Sequence, residues 1–102
     1  GVRVNGVNPG IVATDLVAMI TPEDEVGRSY LANMPISRFG QVADVAPAIR
    51  FLCGPESSWI TGVCLAVDGG HHLRCGPDYG MFARMMFSGT VDPRILDEEE
   101  GV

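Results

Sequence analysis

The side chains that could do chemistry in this sequence are few, and most stand apart from one another. His71, His72 and Cys75 bring imidazole and thiol groups close together, the residue types that ligate zinc. Adjacent histidines in an extended segment point to opposite faces, and no second ligand pair accompanies them. A polar surface or interface role is therefore expected for them, and no metal site. Asp44, Glu56 and Asp78 are isolated acids, which gives no carboxylate pair for hydrolysis. Ser57-Ser58 has no base nearby and reads as a turn rather than a nucleophile. All seven cations, at 3, 28, 38, 50, 74, 84 and 94, are arginine, so no step that needs a lysine ammonium can be carried here. The remaining spacing of interest is Pro9-Gly10 followed by Thr14. Alone it reads as a strand-ending turn with an N-cap.

These residues need elements to place them. Val2 to Asn8 is β-branched at alternate positions at first and is stopped by Pro9-Gly10, a strand running into a tight turn. Ala13 to Ala18 opens a helix, with Thr14 or Asp15 available as N-cap. Thr21-Pro22-Glu23-Asp24-Glu25 starts another: Thr21 caps, Pro22 fits the first turn, and the acids face the positive end of the dipole. It is predicted to reach Asn33, before Pro35. Val42, Val45, Ala46, Ile49, Leu52 and Cys53 fall at steps of three and four, one apolar stripe of a helix. Pro47 bends its first turn, and Gly54-Pro55 ends it. Ile60 to Val67 is a nearly unbroken apolar run closed by Asp68-Gly69-Gly70, the pattern of a strand buried on both faces in a parallel sheet. Strand, helices, strand is the grammar of an α/β, doubly wound fold. A short helix is expected from Tyr79 to Phe87, and the acidic run 97–100 reads as a solvated tail.

Composition sets the bounds. A chain of 102 residues, 46% apolar, suits one globular domain. The net charge of −6 and scattered arginines argue against nucleic acid, which needs clustered cations. No window approaches the ~18 continuous apolar residues of a membrane span, and the first residues do not read as a signal peptide. Cys53 and Cys64 sit in apolar runs and are expected to be small buried hydrophobes. Three cysteines make no disulfide framework, which agrees with a reducing, cytoplasmic setting. Gly1 to Asn5 looks like the inside of a strand, so the chain is expected to be a piece cut from a larger fold.

Three stretches, in this order, resemble the short-chain dehydrogenase/reductase family. The first is Arg3 to Thr14, with its Pro9-Gly10 turn, similar to the family's sixth strand. The second is Ser37-Arg38-Phe39-Gly40 followed by Asp44-Val45-Ala46 and Phe51-Leu52. The third is Ile60-Thr61-Gly62 running to Val67-Asp68-Gly69-Gly70. The resemblance implies the C-terminal portion of a doubly wound, parallel-sheet NAD(P)-binding Rossmann fold over residues 1–70. An extension over 71–96 and an acidic, disordered tail over 97–102 would follow. It also implies a cofactor, NAD or NADP, held at Pro9, Gly10, Val12 and Thr14. The Val12 backbone would bond the nicotinamide carboxamide, and the Thr14 hydroxyl would reach the carboxamide or pyrophosphate, as a helical first turn allows. Gly10 would let the backbone approach the flat ring. Residues 15–34 correspond to the family's mobile lid, whose apolar members either line a substrate pocket or pack on the fold. Helix 42–53 and strand 60–67 resemble its two-fold interface, which implies a homo-oligomer, dimer or tetramer.

The family's catalytic Tyr-x-x-x-Lys is absent: Tyr30 is followed four places on by Met34, and Tyr79 by Ala83. The Gly-rich pyrophosphate turn is absent too, since the spacings beginning at Gly6 and Gly76 lack the third glycine. The resemblance therefore implies an oxidoreductase moving hydride between NAD(P) and an alcohol or ketone in the full-length parent, with no catalytic residue in this piece, which would be inactive alone. The rivals are a non-catalytic interaction module pairing through 42–53 and 60–67, and an enoyl reductase of the same superfamily.

Overall fold

The computed structural model describes residues 1–87. Its regular elements are β1 (Gly6–Pro9), α1 (Glu25–Ala32), α2 (Val42–Cys53), β2 (Cys64–Val67) and α3 (Gly80–Phe87). Single 3-10 turns stand at Asp15–Val17, Pro55–Ser57 and His71–Leu73. The acidic run 97–102 and the part of the extension from 88 to 96 lie outside the described residues.

β1 and β2 pair in parallel, with Gly6 opposite Cys64 and Pro9 opposite Val67, and α1 and α2 lie in the crossover between them. Both strands are shorter than their apolar runs. Gly62 has a φ of +77°, a left-handed conformation that breaks the extended chain. Around it side chains replace ladder bonds: the Val4 N–H donates to the Thr61 hydroxyl at 3.1 Å and the Val63 N–H to the Asn5 side-chain oxygen at 3.2 Å. The expectation of a strand buried on both faces is corrected as well. Cys64 and Leu65 are exposed, and Ala66 and Val67 only half-buried, because among the described residues α2 is the main element packed on the faces of this sheet. The cysteines follow suit: Cys53, Cys64 and Cys75 are all free and exposed, not buried hydrophobes.

The expected helix at 13–18 is a single 3-10 turn. α1 begins later than its sequence suggests, and its cap is Asp24, not Thr21. The Asp24 carboxylate accepts the N–H groups of Gly27 and Thr21, each at 2.7 Å, and those bonds hold its carboxyl below the usual range. Residues 21–24 fold as a turn across the helix start. They press so closely that a Cβ on Gly27 would lie 1.7 Å from the Thr21 carbonyl oxygen.

α2 follows its apolar stripe from Val42 to Cys53 with Pro47 inside it. Asp44, in the first turn, accepts the Gln41 N–H at 2.7 Å. The helix ends without a left-handed glycine: Gly54 is extended, φ −91° and ψ 175°, since a residue before proline is pushed out of the helical region. Ser57, fully buried, donates to the Leu52 and Gly54 carbonyls at 3.0 and 3.1 Å. The Arg3 guanidinium reaches the same two carbonyls at 3.1 and 3.2 Å.

The core sits between β1's exit and the segment 15–34. Ile11, Met34 and Phe39 are buried together, with Val17, Ile20, Tyr30 and Leu31 packed against them. Other apolar side chains lie open: Leu16 is 90% exposed and Trp59 99%. No helix among the described residues is long and apolar enough to cross a membrane.

Candidate functional site

The turn after β1 is fixed from beneath. The Gly10 N–H donates to the Val67 carbonyl at 3.0 Å, which carries the parallel pairing one step past Pro9. A Cβ on Gly10 would stand 2.7 Å from the Asp68 Cβ, so the fold itself demands glycine here, before any ligand approaches. Asp68 is in turn held by the N–H groups of Gly70 and His72 at 3.0 and 2.9 Å and by His72 Nδ1 at 3.0 Å. Burial pushes its carboxyl up, but these bonds from His72 and Gly70 bring it below the usual carboxylate range.

Beyond Gly10 the chain forms a lone parallel bridge between Val12 and Gly40. Its two bonds run from the Ala13 N–H to the Gly40 carbonyl and from the Gly40 N–H to the Ile11 carbonyl, each 2.9 Å. Neither of Val12's own backbone groups is used by that bridge. Thr14 is extended and exposed, and its hydroxyl makes no cap bond to the following 3-10 turn. Its carbonyl alone accepts the Val17 N–H, at 3.1 Å. The plain N-cap account of Thr14 is thus not what this geometry contains.

Pro9, Gly10, Val12 and Thr14 all line one cleft of about 680 Å³. The opposite wall is the stripe of α2, with Val42 and Val45, and residues 15–34 contribute Leu16, Val17 and Tyr30. Within residues 15–34, Leu16 lines the cleft, Ile20, Leu31 and Met34 pack into the fold, and Val17 and Tyr30 do both. His71 and Pro77 close the remaining side. The sequence offers no local signal for that last contribution, since it depends on where the chain travels after β2.

The polar side chains of this wall are few. His71 sits on a 3-10 turn rather than in an extended segment, with Nε2 3.0 Å from the Cys75 carbonyl and its ring against Tyr30. His72 leaves in another direction to pair with Asp68. No group of three or more His, Cys, Asp or Glu among the described residues could hold a metal ion. The Tyr30 hydroxyl meets that of Tyr79; burial, with Tyr79 second, pushes its pKa up to about 12, so it stays protonated near neutrality. Ser57 is committed to the end of α2, which rules it out as a nucleophile. Asp44 is held by Arg38 through both oxygens at 2.8 Å, which with the Gln41 N–H brings its pKa to about 2. It stands as a structural acid.

A family model described as enoyl-(acyl carrier protein) reductase matches residues 1–72. A solved short-chain type dehydrogenase/reductase from Mycobacterium ulcerans matches 83% of this chain and 31% of that one, with a TM-score of 0.79 at 42% identity. This chain belongs to the short-chain dehydrogenase/reductase family. Its α/β fold with a parallel sheet is part of that family's Rossmann domain. Among relatives, it is 49% identical over 70 residues to the 7alpha-hydroxysteroid dehydrogenase of Escherichia coli strain K12, covering 68% of this chain and 27% of the relative. It is 41% identical over 73 residues to a 3-oxoacyl-(acyl-carrier-protein) reductase of Haemophilus influenzae, covering 72% and 29%. A 7 alpha-hydroxysteroid dehydrogenase structure, complexed with NADH and 7-oxo glycochenodeoxycholic acid, matches 67% of this chain and 26% of its own, with a TM-score of 0.60 at 48% identity. The chain thus spans less than a third of the length of these family members.

Proposed function

We propose that the polypeptide to which this chain belongs is an NAD(P)-dependent oxidoreductase that interconverts an alcohol and a carbonyl compound. In this reading Pro9, Gly10, Val12 and Thr14 receive the nicotinamide end of the cofactor. The observation that carries it is their convergence on one cleft, with the Val12 backbone groups outside the bridge and the Thr14 hydroxyl free of any cap bond. An amide and carbonyl pair matches a carboxamide, and the hydroxyl adds a donor or acceptor. The cofactor, when bound, supplies the hydride chemistry. The residues of this chain bind and orient it; no lysine is present, and no catalytic role is assigned here. Residues 1–70 serve as the Rossmann part and 71–96 as an extension, of which His71 and Pro77 line the cleft.

The test is calorimetric titration of NADH and NADPH into the full-length polypeptide and into the 102-residue chain. The full-length protein is expected to bind one of them, about three- to tenfold more weakly after Thr14→Val, the worth of one hydrogen bond. The isolated chain is expected to bind neither. An unchanged affinity in Thr14→Val would refute the placement, and binding by the isolated chain would refute its dependence on the rest of the fold. Turnover of a ketone, set against an enoyl thioester, separates carbonyl reduction from enoyl reduction; the hydroxysteroid dehydrogenase among the relatives favours the ketone.

The exposed apolar side chains of α2 and its neighbouring strand segment, Ile49, Phe51, Val63 and Leu65, support pairing of subunits through this face. They would equally serve a non-catalytic interaction module. Light scattering on the full-length protein reports the subunit count, and absence of cofactor binding there would favour the module. Three unpaired cysteines support a reducing, cytoplasmic setting.

A further inference from the structure

The segment after β2 is tied to the lid helix by side chains. The Tyr79 and Tyr30 hydroxyls meet, and the Asp78 N–H donates to the Ser29 Oγ at 2.7 Å. The Tyr30 ring stands edge-on to Phe39, His71 and Tyr79, with centroids 6.3, 5.3 and 6.1 Å apart. Tyr79 stacks on Phe82 of α3. Tyr30 therefore touches the buried core on one side and the cleft on another. α1 has only eight residues, a length at which a helix depends on outside contacts rather than its own bonds. Tyr79 lies beyond the residues matched by the family model, so this contact is additional to what the family match describes.

We propose that Tyr79 is a positioning residue. It pins α1 through Tyr30 and so fixes the Tyr30 hydroxyl and the His71 imidazole as the polar corner of an otherwise apolar substrate compartment beside the Pro9–Thr14 turn. This rests on the oxidoreductase reading above. The neighbouring Leu16, Val17 and Pro77 offer no hydrogen bonds from their side chains. An alcohol or ketone with an apolar body and one polar group fits such a compartment. A polyol would leave hydroxyls unpaired there, which is costly.

The experiment compares Tyr30→Phe, Tyr79→Phe and the double variant with wild type in the full-length polypeptide. It reads amide exchange over α1 and α2, cofactor affinity, and kinetics on a cyclic apolar ketone and on a keto-sugar. Either single variant is expected to speed exchange in α1 about three- to tenfold and to leave α2 unchanged. In α1 exchange the double variant should behave like a single one, since both remove the same bond. In Tyr79→Phe, KM for the apolar ketone should rise while kcat and cofactor affinity hold, and wild type should prefer the apolar ketone to the keto-sugar. Unchanged exchange in α1, or additive effects in the double variant, would overturn the proposal. A raised KM in Tyr79→Phe with α1 exchange unaltered would overturn it too, because Tyr79 would then be meeting the substrate directly. If wild type bound no nicotinamide cofactor, the oxidoreductase reading would fall, and the exchange measurements would still decide whether Tyr79 pins the helix.

Discussion

A Cβ on Gly10 would meet the Asp68 Cβ at 2.7 Å and its Cα at 2.8 Å, and neither atom belongs to a flexible side-chain end. Gly10→Ala must push the turn away from β2, at a cost of about 1–3 kcal/mol, which urea unfolding of the full-length protein would measure. Because the same turn carries Val12 and Thr14, cofactor affinity should fall with it. The sequence marks Gly10 as a place of close approach, but it hides the partner. Asp68 is 58 positions away in the sequence, and only the parallel register brings it underneath. Asp44 yields a second prediction. Its pKa falls from the ordinary 3.8 to about 2 through Arg38 first and the Gln41 N–H second. A depressed carboxyl binds its proton less readily in the folded state than in the unfolded one. Its contribution is therefore complete above about pH 4 and disappears as pH falls toward 2. Melting curves across that window should show a shallower loss of stability for Asp44→Asn than for wild type.

At the scale of elements, α2 was the easiest to read, because its stripe of valine, alanine, isoleucine and leucine repeats at the helical period and its ends coincide with the observed ones. The strands were harder. Composition announces an apolar run but not the point at which Gly62 turns left-handed, nor that Asn5 and Thr61 exchange side-chain bonds for ladder bonds. The sequence leaves the start of α1 ambiguous because Thr21 and Asp24 are both good caps, and only the packing of residues 21–24 over Gly27 decides between them. The end of α2 carries its own prediction. The Leu52 and Gly54 carbonyls each accept from Arg3 and from Ser57. Ser57→Ala leaves an Arg3 N–H on each carbonyl and should cost about 0.5–1.5 kcal/mol, whereas Arg3→Ala leaves them the one Ser57 proton to share, takes a bond from the Ile60 carbonyl as well, and should cost more. The double variant leaves both acceptors without a donor and should cost more than the sum, a coupling that a urea double-mutant cycle would report.

For the whole molecule, the family was legible in three ordered stretches, while the lining of the cleft by His71 and Pro77 was not, since nothing local in those residues announces it. Among the described residues only Ile11, Val26, Met34, Phe39 and Leu52 are buried hydrophobics, a small core. Much apolar surface on α2, before β1 at Val2 and Val4, and at Val63 and Leu65 remains open. The isolated chain should therefore bind a hydrophobic dye and associate as its concentration rises. The full-length polypeptide should do neither beyond its own subunit assembly; light scattering with dye titration distinguishes the two cases. The surface that creates this problem also supplies a detector. Trp59 is the one tryptophan in the sequence, and it is almost wholly in water, next to the segment on which subunits would pair. Its emission in the lone chain should resemble that of free indole, and any surface that covers it will shift the colour toward blue. Docking of the remaining fold, or of a second copy, can thus be followed as a change of light from a residue already in place.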